Sequence, residues 1–354
     1  MKVNKNVFSF YLLIGIILFL SILFPFVLPN RFFSDAYTII YDKYNEIGLI
    51  GSYPFSMSFY KYTGLKYLPF SMVALIQLPI LYYLLRKIGI PKDFHLVTVK
   101  NLLVYLALLM IAIFIGMPSK EFITFIFIWY FVYIFINHRN TISKKIRIGI
   151  YLFLIFSFIF RPYFIFIPIV AIGMNLLTKV NVKNKVASSF LAGLTIMIFM
   201  SISYGIVKGK HFSQQTREEL NEERGMIDSN SILKSPIEPN TWYGEAVSIV
   251  YGFFSVNLPI NGLKHFLKPQ ILVFIVWQFF LFYILLVRFY SLIKHKKELS
   301  TEYWLMLFLF AYFIIQGVFE PDLGSAVRHK IGVFPLIYYL LYYENFRKEV
   351  QSHI

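Results

Sequence analysis

Residues 148–177 read IGIYLFLIFSFIFRPYFIFIPIVAIGMNLL, an apolar stretch interrupted by Arg161 and Pro162. At about 1.5 Å per residue it is either one long tilted helix or two short ones broken at Arg161-Pro162. Pro162 lacks a backbone donor and disfavours helix at the residue before it, so a break there is physically natural. The flanks decide the matter. His138-Arg139 through Lys144-Lys145-Ile146-Arg147 precede the stretch and Lys179-Val180-Asn181-Val182-Lys183-Asn184-Lys185 follow it, both basic and free of acid. The positive-inside rule puts both flanks in the cytoplasm, which requires a hairpin with Arg161 at its outer turn. A single merged helix would invert everything downstream and place Lys294-His295-Lys296-Lys297 outside.

Working outward, apolar runs recur near 7–28, 69–85, 101–117, 122–136, 187–207, 270–287, 302–319 and 331–343, which with the hairpin predicts about ten transmembrane segments and cytoplasmic termini. The composition agrees: 58% of the 354 residues are hydrophobic, 20% aromatic and 15% charged, against about 45–50% apolar and about 25% charged in soluble domains. An all-α, polytopic integral membrane protein is expected, with residues 1–354 forming a single domain, and soluble enzymes and fibrous proteins are excluded. The run 7–28 is too long for the apolar region of a signal peptide, and Phe26-Val27-Leu28 is no small-residue cleavage site, so it reads as an uncleaved span. The net charge of +16 lies between spans, where lipid phosphate rather than nucleic acid is the expected anion. Without cysteine, thiolate chemistry and disulfides are ruled out.

The cytoplasmic loops are short and basic, with neither a Gly-rich phosphate loop nor paired aspartates. Two outer loops are long, about 29–68 and 208–269. The second contains the mixed-charge run from Gln214 to Arg224, which reads as a solvated helix. It continues into Pro236-Ile237-Glu238-Pro239-Asn240-Thr241-Trp242-Tyr243-Gly244-Glu245, turn-rich and aromatic, suited to a membrane anchor, a lid or a sugar-stacking surface.

Ionisable residues beside apolar segments are costly to bury and mark a site or pathway. Four places qualify: Asp35 just beyond the first span, Pro118-Ser119-Lys120-Glu121 between the third and fourth, Arg161 at the broken hairpin, and Glu320-Pro321-Asp322-Leu323-Gly324-Ser325-Ala326-Val327-Arg328-His329-Lys330 before the last. Plainer roles exist for each. Asp35 would cap a surface helix along 36–47; Lys120 and Glu121 would be turn residues; Arg161 would snorkel to the interface. The cationic triple Arg328-His329-Lys330 opening a span from outside runs against the local charge bias. Arg161, Arg328, Lys330 and Lys120 suit a lipid-linked phosphate or pyrophosphate, and Asp35, Glu320, Asp322 or His329 would take a proton from an attacking sugar hydroxyl.

The segment from Leu323 to Lys330 leading to Pro335 is similar to a Gly-Thr/Ser-Ala-x-Arg-His/Tyr-Arg/Lys segment before the last span of Wzy-like O-antigen and capsular polysaccharide polymerases, within the GT-C type of bacterial membrane glycosyltransferases. Phe33-Ser34-Asp35 resembles the acidic residue of the first outer loop of GT-C enzymes, and Arg161-Pro162-Tyr163 and Pro118-Ser119-Lys120-Glu121 resemble short motifs at the outer ends of spans in related polymerases. The resemblance implies a GT-C-like helical bundle in the bacterial cytoplasmic membrane. Such an enzyme transfers an undecaprenyl-pyrophosphate-linked oligosaccharide to a sugar hydroxyl at the periplasmic or outer face, with a chain-length regulator and a flippase as partners. The paired acidic motif of metal-dependent GT-C enzymes is missing, so no metal or other cofactor is expected. Three alternatives stand beside it: a GT-C enzyme using a polyprenyl-phosphate monosaccharide, a flippase or transporter, and a sugar O-acyltransferase. The last resembles its relatives through a His and an Arg-rich first span, which Val7 to Leu28 does not provide.

Overall fold

The computed structural model describes residues 4–42, 48–137, 140–180, 182–218, 232–265, 267–295 and 300–346. Among them the backbone is helical, with a single isolated antiparallel bridge between Ile232 and Asp322. The principal helices are α1 (Lys5–Val27), α2 (Ser34–Tyr41), α3 (Ser52–Tyr62), α4 (Phe70–Ile88), α5 (Val99–Ile115), α6 (Lys120–Ile136), α7 (Ile142–Ile159), α8 (Phe166–Thr178), α9 (Lys185–Lys208), α10 (Trp242–Asn257), α11 (Pro269–Lys294), α12 (Thr301–Phe319), α13 (Leu323–Gly332) and α14 (Phe334–Leu341). Among the described residues five segments, namely α1, α4, α9, Ile271–Lys294 of α11 and α12, are long and apolar enough to cross a bilayer. In α1, Phe8, Leu12, Ile16, Phe19 and Phe26 stand exposed while Phe10, Ile14 and Ile17 turn inward. An apolar outer face of this kind suits lipid, not water.

The expected break is present. Helix α7 stops at Ile159, and a 3-10 turn over Pro162–Ile165 precedes α8. The last apolar run departs from expectation. Instead of one span over 331–343, the chain turns at Val333 and restarts as α14, with Pro335 in its first turn. Proline cannot donate back into a preceding helix, so α13 and α14 are separate. Eight residues reach only about 12 Å, too short to cross a bilayer alone.

Two compact units emerge, one of residues 1–162 with 328–354 and one of residues 163–327. In the first, α1 packs on α4 and α5, and α6 packs on α4, α7 and α14. Lys145, buried near the start of α7, donates to the Phe135 carbonyl at the end of α6 (2.7 Å), and Gly149 lets the rings of Phe131 and Phe135 approach its Cα. In the first turn of α5, Asn101 donates to the Asp93 and Leu96 carbonyls and accepts from the Tyr342 hydroxyl at 2.5 Å.

In the second unit, α12 is almost wholly buried against α8, α9 and α10. Helix α10 lies inside the region expected to be a loop. Thr241 caps it by accepting from Gly244 N (3.2 Å), and Gly244, Ser248 and Gly252 repeat every four residues along one buried face. Small residues at that spacing allow helices to approach closely. A Cβ on Gly252 would collide with the Gly317 carbonyl on α12 and with the Arg217 guanidinium. Trp242 and Tyr243 remain exposed at the start of α10.

Of the mixed-charge run only 214–218 are described: Gln215 is exposed, as a solvated helix requires, and Arg217 is not; residues 219–231 lie outside the described part. Arg217 is 1% exposed and donates to the Ser248 carbonyl and hydroxyl (3.3 and 3.2 Å) and to the Gly317 carbonyl. Glu245, fully buried, accepts from the hydroxyls of Ser201 (2.5 Å) and Ser213 and from Ser213 N (3.2 Å). Buried polar groups require such partners, and here they bind the segment after α9 to α10 and α12. Gly252→Ala is therefore expected to destabilise the protein by about 1–3 kcal/mol through overpacking, read as a lower unfolding temperature of the detergent-solubilised protein, with Ser203→Ala at a partly exposed position as the reference.

Candidate functional site

Four segments of the first unit bring charged side chains together, and their local structure explains how. Ser34 opens α2 and puts Asp35 in its first turn, on the buried side with Ala36 and Ile39. Ser119 caps α6 by accepting from Glu121 N at 3.1 Å, so Lys120 and Glu121 occupy the first helical positions. Arg161 follows the end of α7 where Pro162 prevents its continuation. Arg328, His329 and Lys330 belong to α13, two to four residues before its end at Gly332.

Adjacent residues on a helix diverge by about 100°, and two adjacent pairs use this divergence. Lys120 and Arg328 turn to Asp35, with Lys120 Nζ 3.7 Å and Arg328 Nη1 3.2 Å from Asp35 Oδ1. Glu121 and His329 turn to Arg161: Glu121 Oε1 pairs with Arg161 Nη2, and His329 Nε2 lies 3.3 Å from the same oxygen. The cluster thus has two lobes, one around Asp35 and one around Glu121. In each, one carboxylate oxygen gathers the cations while the other, Asp35 Oδ2 or Glu121 Oε2, is buried without a hydrogen-bond partner. Gly332 abuts Glu121 Oε2 so closely that a Cβ would overlap it.

Three plain readings are therefore corrected. Asp35 is no surface cap, being inside its helix and 6% exposed. Lys120 and Glu121 are buried cluster members rather than turn residues, and Arg161 is 3% exposed, held by Glu121 rather than snorkelling. Lys330 is fully buried in the first unit. Glu320 and Asp322 belong to the second unit: Glu320 ends α12, and Asp322 starts α13, its two oxygens each accepting at 2.9 Å from Ser325 N and Ser325 Oγ. Those contacts are the capping chemistry of a helix start.

Sequence reading passed over Tyr53 as a site residue. From α3 its hydroxyl donates to Asp35 Oδ1 (2.9 Å), and its ring lies 3.6 Å beneath Lys120 Nζ. No local pattern marks it, because the partners are 18 and 67 positions away. Glu121 is adjacent to Lys120, and Gly332 lies two positions beyond Lys330.

Electrostatics follow from the geometry of these loop-borne groups. Burial alone would raise the Asp35 carboxyl, but the charges of Arg328 and Lys120, with the Tyr53 hydroxyl, outweigh it and hold Asp35 well below the usual carboxylate range. His329 moves down from 6.5 to about 3: burial disfavours the imidazolium, Glu121 opposes that, and Arg161, Arg328 and Lys120 reinforce it. The imidazole is thus neutral at physiological pH. Among the described residues no group of three His, Asp or Glu side chains is arranged to hold a metal ion.

Two outcomes are expected. Both shifts are depressions, so the unfolded chain binds more protons than the folded one in acid, and folding stability falls as pH drops from 6.5 towards about 3. His329→Gln, which cannot titrate, flattens that part of the stability-pH curve. Glu121→Gln or Arg161→Met, each leaving one charge buried, costs about 3–5 kcal/mol, while the double variant costs less than the sum; unfolding in detergent measures all three. Comparison with family models, curated proteins and solved structures returned no match.

Proposed function

We propose that the chain is a polysaccharide polymerase of the bacterial cytoplasmic membrane, taking an undecaprenyl-pyrophosphate-linked glycan and joining it to a sugar hydroxyl at the periplasmic or outer face. One observation carries the reading: Lys120, Arg161 and Arg328 converge with Asp35 and Glu121 in one buried cluster. Burying so many charges beside apolar helices is expensive. Cations held in place before a ligand arrives are suited to a leaving group that gains negative charge, since no reorganisation is needed as the bond breaks. Guanidinium groups match two phosphate oxygens at once, and Lys120 adds a point charge.

In the proposed step the bond between the sugar anomeric carbon and the pyrophosphate oxygen breaks, and the acceptor oxygen bonds that carbon from the opposite face. Arg328, Arg161 and Lys120 stabilise the departing lipid pyrophosphate, and Lys330 lies two residues beyond Arg328 on α13. The acceptor hydroxyl gives its proton to a nearby base. His329 is the better fit among the gathered groups, because it is neutral and therefore able to accept. Asp35 is an ionised, weakly basic carboxylate suited to orienting the hydroxyl. An arriving pyrophosphate would favour the imidazolium and so raise the basicity of His329. Neither Glu320 nor Asp322 is needed in this scheme. The lipid bilayer, a chain-length regulator and a flippase are the proposed surroundings.

Deleting the gene should collapse the surface or lipid-linked glycan ladder to a single repeat unit on a gel, and the wild type should restore it. Arg328→Ala should leave at most about a hundredth of the activity, and Arg161→Lys and Arg328→Lys should each stay deeply impaired, because Lys keeps the charge and loses the fork. An intact ladder lacking one sugar would instead indicate single-sugar transfer from a polyprenyl phosphate. Full activity in both Lys variants would reject the bidentate role.

A further inference from the structure

Helix α3, inside the first long loop, contacts every segment that the cluster draws from residues 1–162. Its N-terminal Gly51 N donates to the Ile159 carbonyl (2.9 Å), and Phe55 meets Phe160 edge-on at 5.6 Å, both beside Arg161. Near its C-terminus the fully buried Tyr60 hydroxyl accepts from Ser119 N (2.9 Å), the cap of the helix that carries Lys120 and Glu121. That hydroxyl is fixed in turn by Gln77, whose side-chain oxygen accepts from it at 2.7 Å while its nitrogen donates to the Ile115 and Met117 carbonyls. Between these anchors Tyr53 meets Asp35 through its hydroxyl and Lys120 through its ring.

We infer that Tyr53 is the positioning residue of the Asp35 lobe, its hydroxyl fixing the carboxylate that orients the acceptor and its ring fixing the lysine that meets the pyrophosphate, with α3 as the brace that holds it there. This rests on the polymerase reading for the names of the two ligands. Three donors, Tyr53 Oη, Lys120 Nζ and Arg328 Nη1, all address Asp35 Oδ1. Asp35 Oδ2, buried and without a hydrogen-bond partner, is thereby the oxygen left to accept from a sugar hydroxyl. Rotation of the carboxylate would scramble that division, and the phenol opposes it. Among the described residues Lys120 has one carboxylate at salt-bridge distance, shared with Arg328, and the ring face provides a second restraint without neutralising its charge. A carboxylate in place of Tyr53 would bind the lysine more tightly and cancel the charge a phosphate needs.

The two functions separate by substitution. Tyr53→Phe keeps the ring under Lys120 and removes the hydroxyl; Tyr53→Leu removes both. Inorganic pyrophosphate binding to the purified, detergent-solubilised protein reads the Lys120 side, and the glycan ladder of a complemented deletion strain reads turnover. For Tyr53→Phe, pyrophosphate affinity within about twofold of wild type and long-chain glycan reduced about 10- to 100-fold are expected, from loss of a hydrogen bond to a charged group. Tyr53→Leu should show the same turnover loss together with about tenfold weaker pyrophosphate binding. Tyr62→Phe, at an exposed position of the same helix, should match wild type in both.

Wild-type turnover and affinity in both Tyr53 variants would overturn the inference. So would Tyr53→Phe behaving as wild type while Tyr53→Leu fails to purify as a monodisperse protein, since Tyr53 would then be a packing residue only. If deletion leaves the ladder intact while Tyr53→Leu alone weakens pyrophosphate binding, the polymerase reading fails and the role of the ring at an anion site stands. If deletion collapses the ladder and both variants restore it fully, the polymerase reading stands and the positioning role fails.

Discussion

A carboxylate removed from water beside an apolar bundle has to bring a counterion with it, and Glu121 does so by binding Arg161, with the neutral imidazole of His329 beside the same oxygen. The cost of an uncompensated charge there is several kcal/mol, so the start of α6, the end of α7 and the C-terminal part of α13 are held to one another by electrostatic necessity. Asp35 repeats the constraint for α2 through Lys120 and Arg328. The dipeptides Lys120-Glu121 and Arg328-His329 each give one side chain to each lobe, which couples the two pairs through the backbone. Displacing the start of α6 would strand charge in both lobes.

Rigidity at the cluster is supplied by the surrounding apolar and polar packing. Gly332 leaves no room for the Glu121 carboxylate to move towards α13. Lys145 closes the far end of the α6–α7 pair by satisfying a carbonyl at the end of α6. Helix α3 adds fixed points at Ile159, Ser119 and Asp35. In the proposed transfer, this arrangement would keep the dipoles and charges that meet the leaving group oriented before the ligand arrives.

In the second unit, Glu245 and Arg217 hydrogen-bond to neutral groups, beside a separate ion pair of Arg288 with Glu302. Glu245 is surrounded by hydroxyl and amide donors, and Arg217 by carbonyls and a hydroxyl. Small residues at Gly252 and Gly317 make the close helix contact that brings those groups within reach. The polar network here joins a loop segment to packed helices, whereas the network of the first unit pairs opposite charges.

Much was legible in residue order alone. The apolar runs located the helices, because burying or lipid-facing apolar area has a period and a length that composition reveals. Pro162 located the break after α7, since a missing donor acts wherever the residue sits. Asp35, Lys120, Arg161 and Arg328 were legible as candidates because charge beside apolar sequence is costly in any fold. Helix α10 was harder to read, because its Pro, Trp and Gly neighbours signal turns while its small-residue face gains meaning only against Gly317. Tyr53 could not be read at all: one tyrosine among 26 becomes distinctive only when α3 carries it to Asp35 and Lys120. The membership of Asp322 and Glu320 in the second unit was likewise a matter of tertiary structure. Local chemistry determines which residues need partners, and long-range chain closure decides which partners they find.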